Sequence, residues 1–409
     1  MKRFIVSLFL ILATVVPCSG QGKPNTLTPK EIADGWILLF DGETTFGWNH
    51  DGEVSVADGS LVLSGEKSSA FHGTGWGSFE LKFDYRLDNR KNKGSGNLGM
   101  KSGAGGQLAG EKGKWQGSRV YYDFDPKTNR FVFQNRDAIE LPDIAAEGYG
   151  RVAQKRLGNS PTDHFGFLTF REAKLEVRNI KLLPLAKITF APKAEDYRPH
   201  TFPMASLFNG KDLAGWNVFP GKKSKFAVID SAINVKDGPG DLQTAGKYKD
   251  FVLQLEAISN GKHLNSGIFF RCRDGEYQNG YEAQIHNGFA ETPKKYLLEE
   301  YDPNTNKLIG KKEAMYNASD FGTGAIYRRV PARKQMSKDG EWFGMTVVAQ
   351  GNRFATWVNG IQVTDWTDNR PKSDNARTGC RLEGGHLSIQ GHDPTTDLSF
   401  RNFRIAEYK

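Results

Sequence analysis

A ten-residue signature occurs twice in this chain, and it constrains the fold more than any other feature. Leu39-Phe40-Asp41-Gly42 followed by Gly47-Trp48 lines up with Leu207-Phe208-Asn209-Gly210 followed by Gly215-Trp216, at identical spacing. Each copy continues through a turn, Ala57-Asp58-Gly59 or Ile229-Asp230-Ser231, into strand-like runs that begin at Phe79 and Phe251. Each closes on Arg-Asn, at Arg178-Asn179 and Arg401-Asn402. Self-similarity on this scale marks a tandem duplication, so both copies are expected to build the same plan.

That plan is all-β. From Phe79 to Leu87 apolar and polar residues alternate without interruption, the two-residue period of a strand with one buried face, and Phe251, Leu253, Leu255 and Ala257 repeat it. Thr356-Trp357-Val358 and Ile361-Gln362-Val363 flank Asn359-Gly360, a pair that accepts the positive φ angles of a tight hairpin turn. One helical turn is expected from Thr28 to Ala33, with Thr28 as cap, Pro29 at the first position and Glu31 closing a capping box. Short strands separated by turns, in a chain with 46 glycines and 12% aromatics, predict two antiparallel jelly-roll β-sandwiches. The domains are expected at residues 35–187, the divergent copy, and 205–409, joined by a proline-broken linker at 188–204.

The basic start Met1-Lys2-Arg3, the apolar run from Phe4 to Val16 and the small residues Cys18-Ser19-Gly20 read as a signal peptide over residues 1–20. The protein is therefore expected to be exported to the periplasm, cell surface or medium, with Cys18 as a lipid-modified first residue the alternative. No later run is apolar for long enough to span a bilayer as a helix. The formal net charge is +8, but the basic residues are scattered instead of forming a stripe interleaved with aromatics, which argues against a nucleic-acid partner. Cys272 and Cys380 are either a disulfide, which an exported protein permits, or two buried thiols. Oligomeric state is left open.

Chemistry concentrates in the second copy, on three strand-like segments with polar residues at alternate positions. Glu282, Gln284 and His286 share one face of their segment; His386, Ser388, Gln390 and His392 form a second row; Arg271 and Arg273 lie on one side of a third. An antiparallel sandwich often leaves one sheet face in water, and such faces are usually Lys, Thr, Glu and Ser. Rows of His, Gln, Glu and Arg point instead to a polar ligand. The first copy has no such rows in Asn97 to Lys101 or Phe165 to Thr169. The same residues admit two other readings, a non-catalytic carbohydrate-binding protein and a surface adhesion module.

At these residues the chain resembles the 3-keto-disaccharide hydrolase family. The matching pieces are Leu207 to Leu213 with Gly215-Trp216, Asn265 to Arg271, Gly280 to Ile285, Thr323 to Tyr327, Gly340 to Trp342, Trp357 to Gly360 and Phe400 to Asn402. They span nearly all of residues 205 to 409, whereas the first copy matches only through its ends. Family members often have Asp where this chain has His286. The resemblance implies a concanavalin-like jelly roll acting on a carbohydrate substrate already oxidised at C3. A C3 ketone acidifies the C2 proton, so a base can remove it, the group at C1 leaves by elimination, and water adds back. Such a route needs a base, a group to stabilise the enolate and an acid, not the opposed carboxylates of ordinary glycosidases. On this reading His286 or His392 is the base, Arg271 holds the enolate and Glu282 is the acid. Gln284, Gln390, Arg273 and Ser388 bind substrate. No cofactor is required, although a divalent cation held by Glu282 and the histidines is an alternative electrophile to Arg271.

Overall fold

The computed structural model describes residues 23–89, 94–101, 105–108, 111–123, 130–135, 162–189, 200–302 and 307–408. The expected signal peptide with Cys18 and most of the expected 188–204 linker lie outside the described residues. The expected helical turn is Pro29–Asp34: Thr28 Oγ1 accepts the Glu31 N–H at 3.1 Å, and the Glu31 carboxylate accepts the Thr28 N–H at 2.8 Å.

The duplicated signature builds the same corner twice. In each copy the indole N–H reaches back nine residues to a backbone carbonyl, Trp48 to Leu39 at 2.7 Å and Trp216 to Leu207 at 2.8 Å. Asp41 and Asn209 occupy equivalent places, each accepting two backbone N–H groups of the turn that follows. Gly47 and Gly215 sit at φ 82° and 85°, a left-handed conformation that costs other residues energy. The closing asparagines correspond as well, Asn179 at φ 52° and Asn402 at φ 56°, each beside a break in strand register.

Each copy is a two-layer sandwich. In the second, the front sheet runs Trp216–Val218, Gly240–Thr244, His386–Gly391, Ser266–Cys272 and Tyr281–Ile285 in spatial order. The back sheet runs Lys225–Ile229, Ala232–Lys236, Asp397–Glu407, Phe251–Ser259, Phe343–Gln350, Arg353–Val358 and Ile361–Thr367. Leu242, Ile268, Phe270 and Ile389 from the front meet Leu253, Leu255, Val347 and Phe354 from the back in one core. Asn359 and Gly360 form the expected hairpin turn, both at positive φ. Cys272 and Cys380 are separate buried thiols.

The copies are not independent beads. Ile37–Leu38 pairs antiparallel with Ala173–Pro184 of the first copy and, at Leu38, parallel with Ile361 of the second. Val252, Val348, Ala355, Trp357 and Ala406, on the outer face of the second copy's back sheet, belong to the first copy's core cluster. The Trp357 indole donates to the Leu38 carbonyl at 3.1 Å and packs 5.6 Å from Trp76. That back sheet is therefore covered on both faces, with Gln254 bonded to the Gly35 carbonyl at 2.8 Å on the outer one, unlike the half-wet sheet the alternation predicts.

Candidate active site

The front sheet of the second copy presents its outer face as two rows of side chains in register. Gln243 stands opposite Ser388, Ser388 opposite Phe269, and Phe269 opposite Glu282. One pleat along, Asp241 stands opposite Gln390, and Gly267 opposite Gln284. Since alternate residues share a face, the intervening Leu242, Ile389, Ile268 and Ala283 fill the core behind. Gly267 is part of the design: a Cβ there would lie 2.5 Å from Glu282 Oε1, so only glycine leaves floor space for the carboxyl.

Over these rows opens a cleft of about 350 Å³, walled by Tyr277, Gln278, Tyr327, Arg328, Arg377 and His392. Its scale suits a small-molecule ligand. The 323–327 segment forms one wall because it hydrogen-bonds to the edge strand like an added strand: Gln284 N–H to the Ala325 carbonyl at 3.0 Å, Tyr327 N–H to the Glu282 carbonyl at 2.9 Å.

Glu282 is 8% exposed. Burial pushes its carboxyl up to about 8, opposed by the guanidinium charges of Arg377 and Arg328 and reinforced by Asp320 and Asp241. At neutral pH it is an acid carrying its proton. Asp241, fully buried, is raised by desolvation to about 6, with Gln278 donating its backbone N–H to Oδ2 at 2.9 Å. Asp241 thus holds the loop that carries the Tyr277 and Gln278 wall. Gln284 donates Nε2–H to the Asp320 carboxylate at 3.0 Å, which turns its Oε1 free. That oxygen and Gln390 Oε1 are both buried without a hydrogen-bond partner. Leaving a buried polar atom unpaired costs about 1–3 kcal/mol. A floor lined with orphaned acceptors therefore favours a ligand rich in hydroxyl donors.

The structure brings together Glu282, Gln284, Gln390 and His392 at one cleft, with Ser388 on the same face. His392, at the cleft wall, contacts Asp393 Oδ2 through Nδ1 at 2.8 Å, a contact that favours the tautomer protonated on Nδ1 and leaves Nε2 as the basic nitrogen.

Arg271 requires a correction. Alternation puts it on the cleft face, but a register shift between Phe269 and Cys272, with Arg271 at φ 53°, turns its side chain into the interior. Gly385 packs there so closely that a Cβ would meet the Cys272 carbonyl at 2.1 Å. The guanidinium, 0% exposed, donates to the carbonyls of Lys249, Gly351 and Arg381 and pairs with Asp250 at 2.8 Å. It is a structural tie and cannot reach an enolate in the cleft. Arg271→Ala is expected to cost about 3–5 kcal/mol, the penalty for breaking a buried pair, measured by urea denaturation. An unchanged midpoint with lost turnover would return Arg271 to catalysis.

Two further expectations shift. His286 lies just past the end of its strand, half-buried, with Nδ1 accepting the Gly288 N–H at 3.2 Å and its ring 6.0 Å from His263. Burial lowers its pKa, and it is not among the cleft walls. Arg273 sits on the following turn, paired with Glu276 at 3.0 Å and away from the cleft. Asp241, Gln243, Arg328 and Arg377 are the residues sequence reading missed. The alternation in Gly240-Asp241-Leu242-Gln243-Thr244 offered a signal for the first two, while the arginines sit on loops without periodicity. Among the described residues no group of three or more His, Cys, Asp or Glu side chains is placed to hold a metal ion.

Register makes the loss of the site in the first copy explicit. Trp48 pairs with His72 as Trp216 pairs with Thr244, and from these anchors the ladders can be followed strand by strand. The places of Asp241, Gln243, Gln390, Ser388, Phe269 and Glu282 are taken by Ser69, Phe71, Leu168, Gly166, Gly99 and Gly105. Gln107 alone keeps its counterpart's identity, that of Gln284.

Fold and cleft define an all-β, sandwich-type protein with a polar ligand site on one front sheet. The chain belongs to the 3-keto-alpha-glucoside-1,2-lyase-like domain family, which matches it at residues 35–180 and 203–406. It is similar to a 3-keto-disaccharide hydrolase of Bacteroides thetaiotaomicron, 25% identical over 232 residues, covering 49% of this chain and 77% of the relative. Among solved structures, a Parabacteroides distasonis protein provisionally labelled a glycosyl hydrolase shares 24% identity at a TM-score of 0.37, covering 50% of this chain and 93% of its own. The carbohydrate-binding module CBM66 of Bacillus subtilis shares 14% identity at a TM-score of 0.31, covering 47% and 96% respectively.

Proposed function

We propose that the second-copy cleft cleaves 3-keto-glycosides by C2 proton abstraction, elimination at C1 and hydration. The observation that carries this reading is Glu282, a carboxylic acid kept protonated on a floor of unpaired acceptors. A neutral carboxyl donates a hydrogen bond to a developing enolate oxygen, which a carboxylate would repel. The relative named a 3-keto-disaccharide hydrolase and the family match support the substrate class.

The roles follow from position. His392, oriented by Asp393, takes the C2 proton on Nε2; Glu282 donates to the C3 oxygen as the enolate forms. The C1–O bond breaks, and the imidazolium returns its proton to the departing oxygen. Water then adds across the C1–C2 double bond, giving the free 3-keto sugar. Arg271, Arg273 and His286 have no part in these steps, and none is routed through a cation.

The test is to incubate the protein with a 3-keto-disaccharide and with its unoxidised parent, following released monosaccharide and the ultraviolet absorbance of the enone. The expected result is release from the keto form alone, with His392→Ala lowering the rate by about 10²–10⁴-fold, the usual contribution of a general base. Binding of the keto-disaccharide without turnover would overturn the enzymatic reading and leave a lectin.

A further inference from the structure

The wall of the cleft carries two guanidinium groups, Arg328 and Arg377, that no carboxylate among the described residues pairs at contact distance. Arg377 spends Nε and one Nη2 hydrogen on the backbone carbonyl of Gln278. Arg328, exposed, lies over the Tyr327 ring at 5.4 Å. Among the described residues neither has an ion-pair partner, in contrast to the neighbouring Arg329, which is paired with Glu299 at 3.1 Å. The carboxylates that feel these guanidiniums are on the floor. Glu282 is held neutral by burial, Asp241 is turned to the Gln278 N–H, and Asp320 is turned to Asn265 and Gln284. Guanidiniums left without a contact partner at the rim of a cleft attract ligands of the opposite charge. The planar fork of arginine matches carboxylate and phosphate oxygens in particular.

We infer that Arg328 and Arg377 form an anion subsite at the cleft mouth, so that the glycoside taken here carries an acidic group on its leaving part, a carboxylate or a phosphate. This rests on the reading of the cleft as a saccharide site. The two arginines then select the substrate by its charge while the floor, built of Gln284, Gln390 and Glu282, holds the sugar that reacts.

The test is calorimetric binding of two matched pairs at low and high ionic strength: cellobiose against cellobionate, and trehalose against trehalose 6-phosphate. At least one anionic member is expected to bind about tenfold or more tightly than its neutral partner, as a charge-assisted hydrogen bond allows. The pair that responds distinguishes carboxylate from phosphate. The preference should shrink at high salt and vanish in Arg328→Gln and Arg377→Gln, while neutral binding persists. Arg86→Gln, remote from the cleft and paired with Glu176, controls for overall charge and should change nothing. Equal binding within both pairs, or a preference that survives both arginine substitutions, overturns the subsite alone. Failure of all four saccharides to bind overturns the saccharide site with it.

Discussion

Glu282→Gln is expected to lower kcat on a 3-keto-disaccharide by about 10²–10⁴-fold while leaving KM within a few-fold, because the amide fills the same space over Gly267 but is a far weaker acid. In the unaltered protein turnover should fall as pH rises through about 8, where the buried carboxyl loses its proton. The same proton governs stability. An exposed carboxyl of this kind ionises near 4.5, whereas the folded protein holds the proton to about 8. Between those values the unfolded chain binds fewer protons, so stability falls as pH rises across the window, by on the order of a few kcal/mol in all. Glu282→Gln should flatten that decline and be the more stable form at pH 9. Turnover above a tenth of normal in this variant, with the alkaline fall intact, would remove Glu282 from the reaction.

Separating the copies should have an effect as large on folding. A fragment of residues 203–408 retains the entire cleft but uncovers Val252, Val348, Ala355, Trp357 and Ala406 on one sheet face. An aromatic side chain of this size buries about 200 Å², so Trp357 alone contributes up to about 5 kcal/mol at 25 cal/mol per Å². The fragment is expected to aggregate or to melt at least about 10 °C below the full chain, read by light scattering and calorimetry. A monomeric fragment with an unchanged transition would show that the first copy is an ornament. Within the full chain, the contact predicts that both copies unfold in one calorimetric transition.

Much of this architecture was legible in the sequence because its determinants are local. The Leu-Phe and Gly-Trp signature encodes a corner closed by one indole hydrogen bond, Thr28 and Glu31 encode a cap, and Asn359-Gly360 encodes a turn. Alternation likewise located Glu282, Gln284, Ser388 and Gln390 on one face. It failed at Arg271, where a single residue at positive φ reverses the pleat, and at His286, where the strand has already ended. Arg328 and Arg377 were invisible to periodicity, since loops reach the cleft through tertiary folding alone. The covered outer face of the back sheet was missed for a related reason: Val252 and Val348 alternate with core residues as a wet face would, and only the packed first copy shows why they are Val.

With Ser69, Leu168, Gly166 and Gly105 where the second copy has its polar row, what the first copy supplies to the cleft-bearing copy is the surface it offers to Trp357. No single substitution would install the missing row, and deletion of the copy would strand its sister's apolar face. The second copy thus depends on a neighbour that contributes surface and no chemistry.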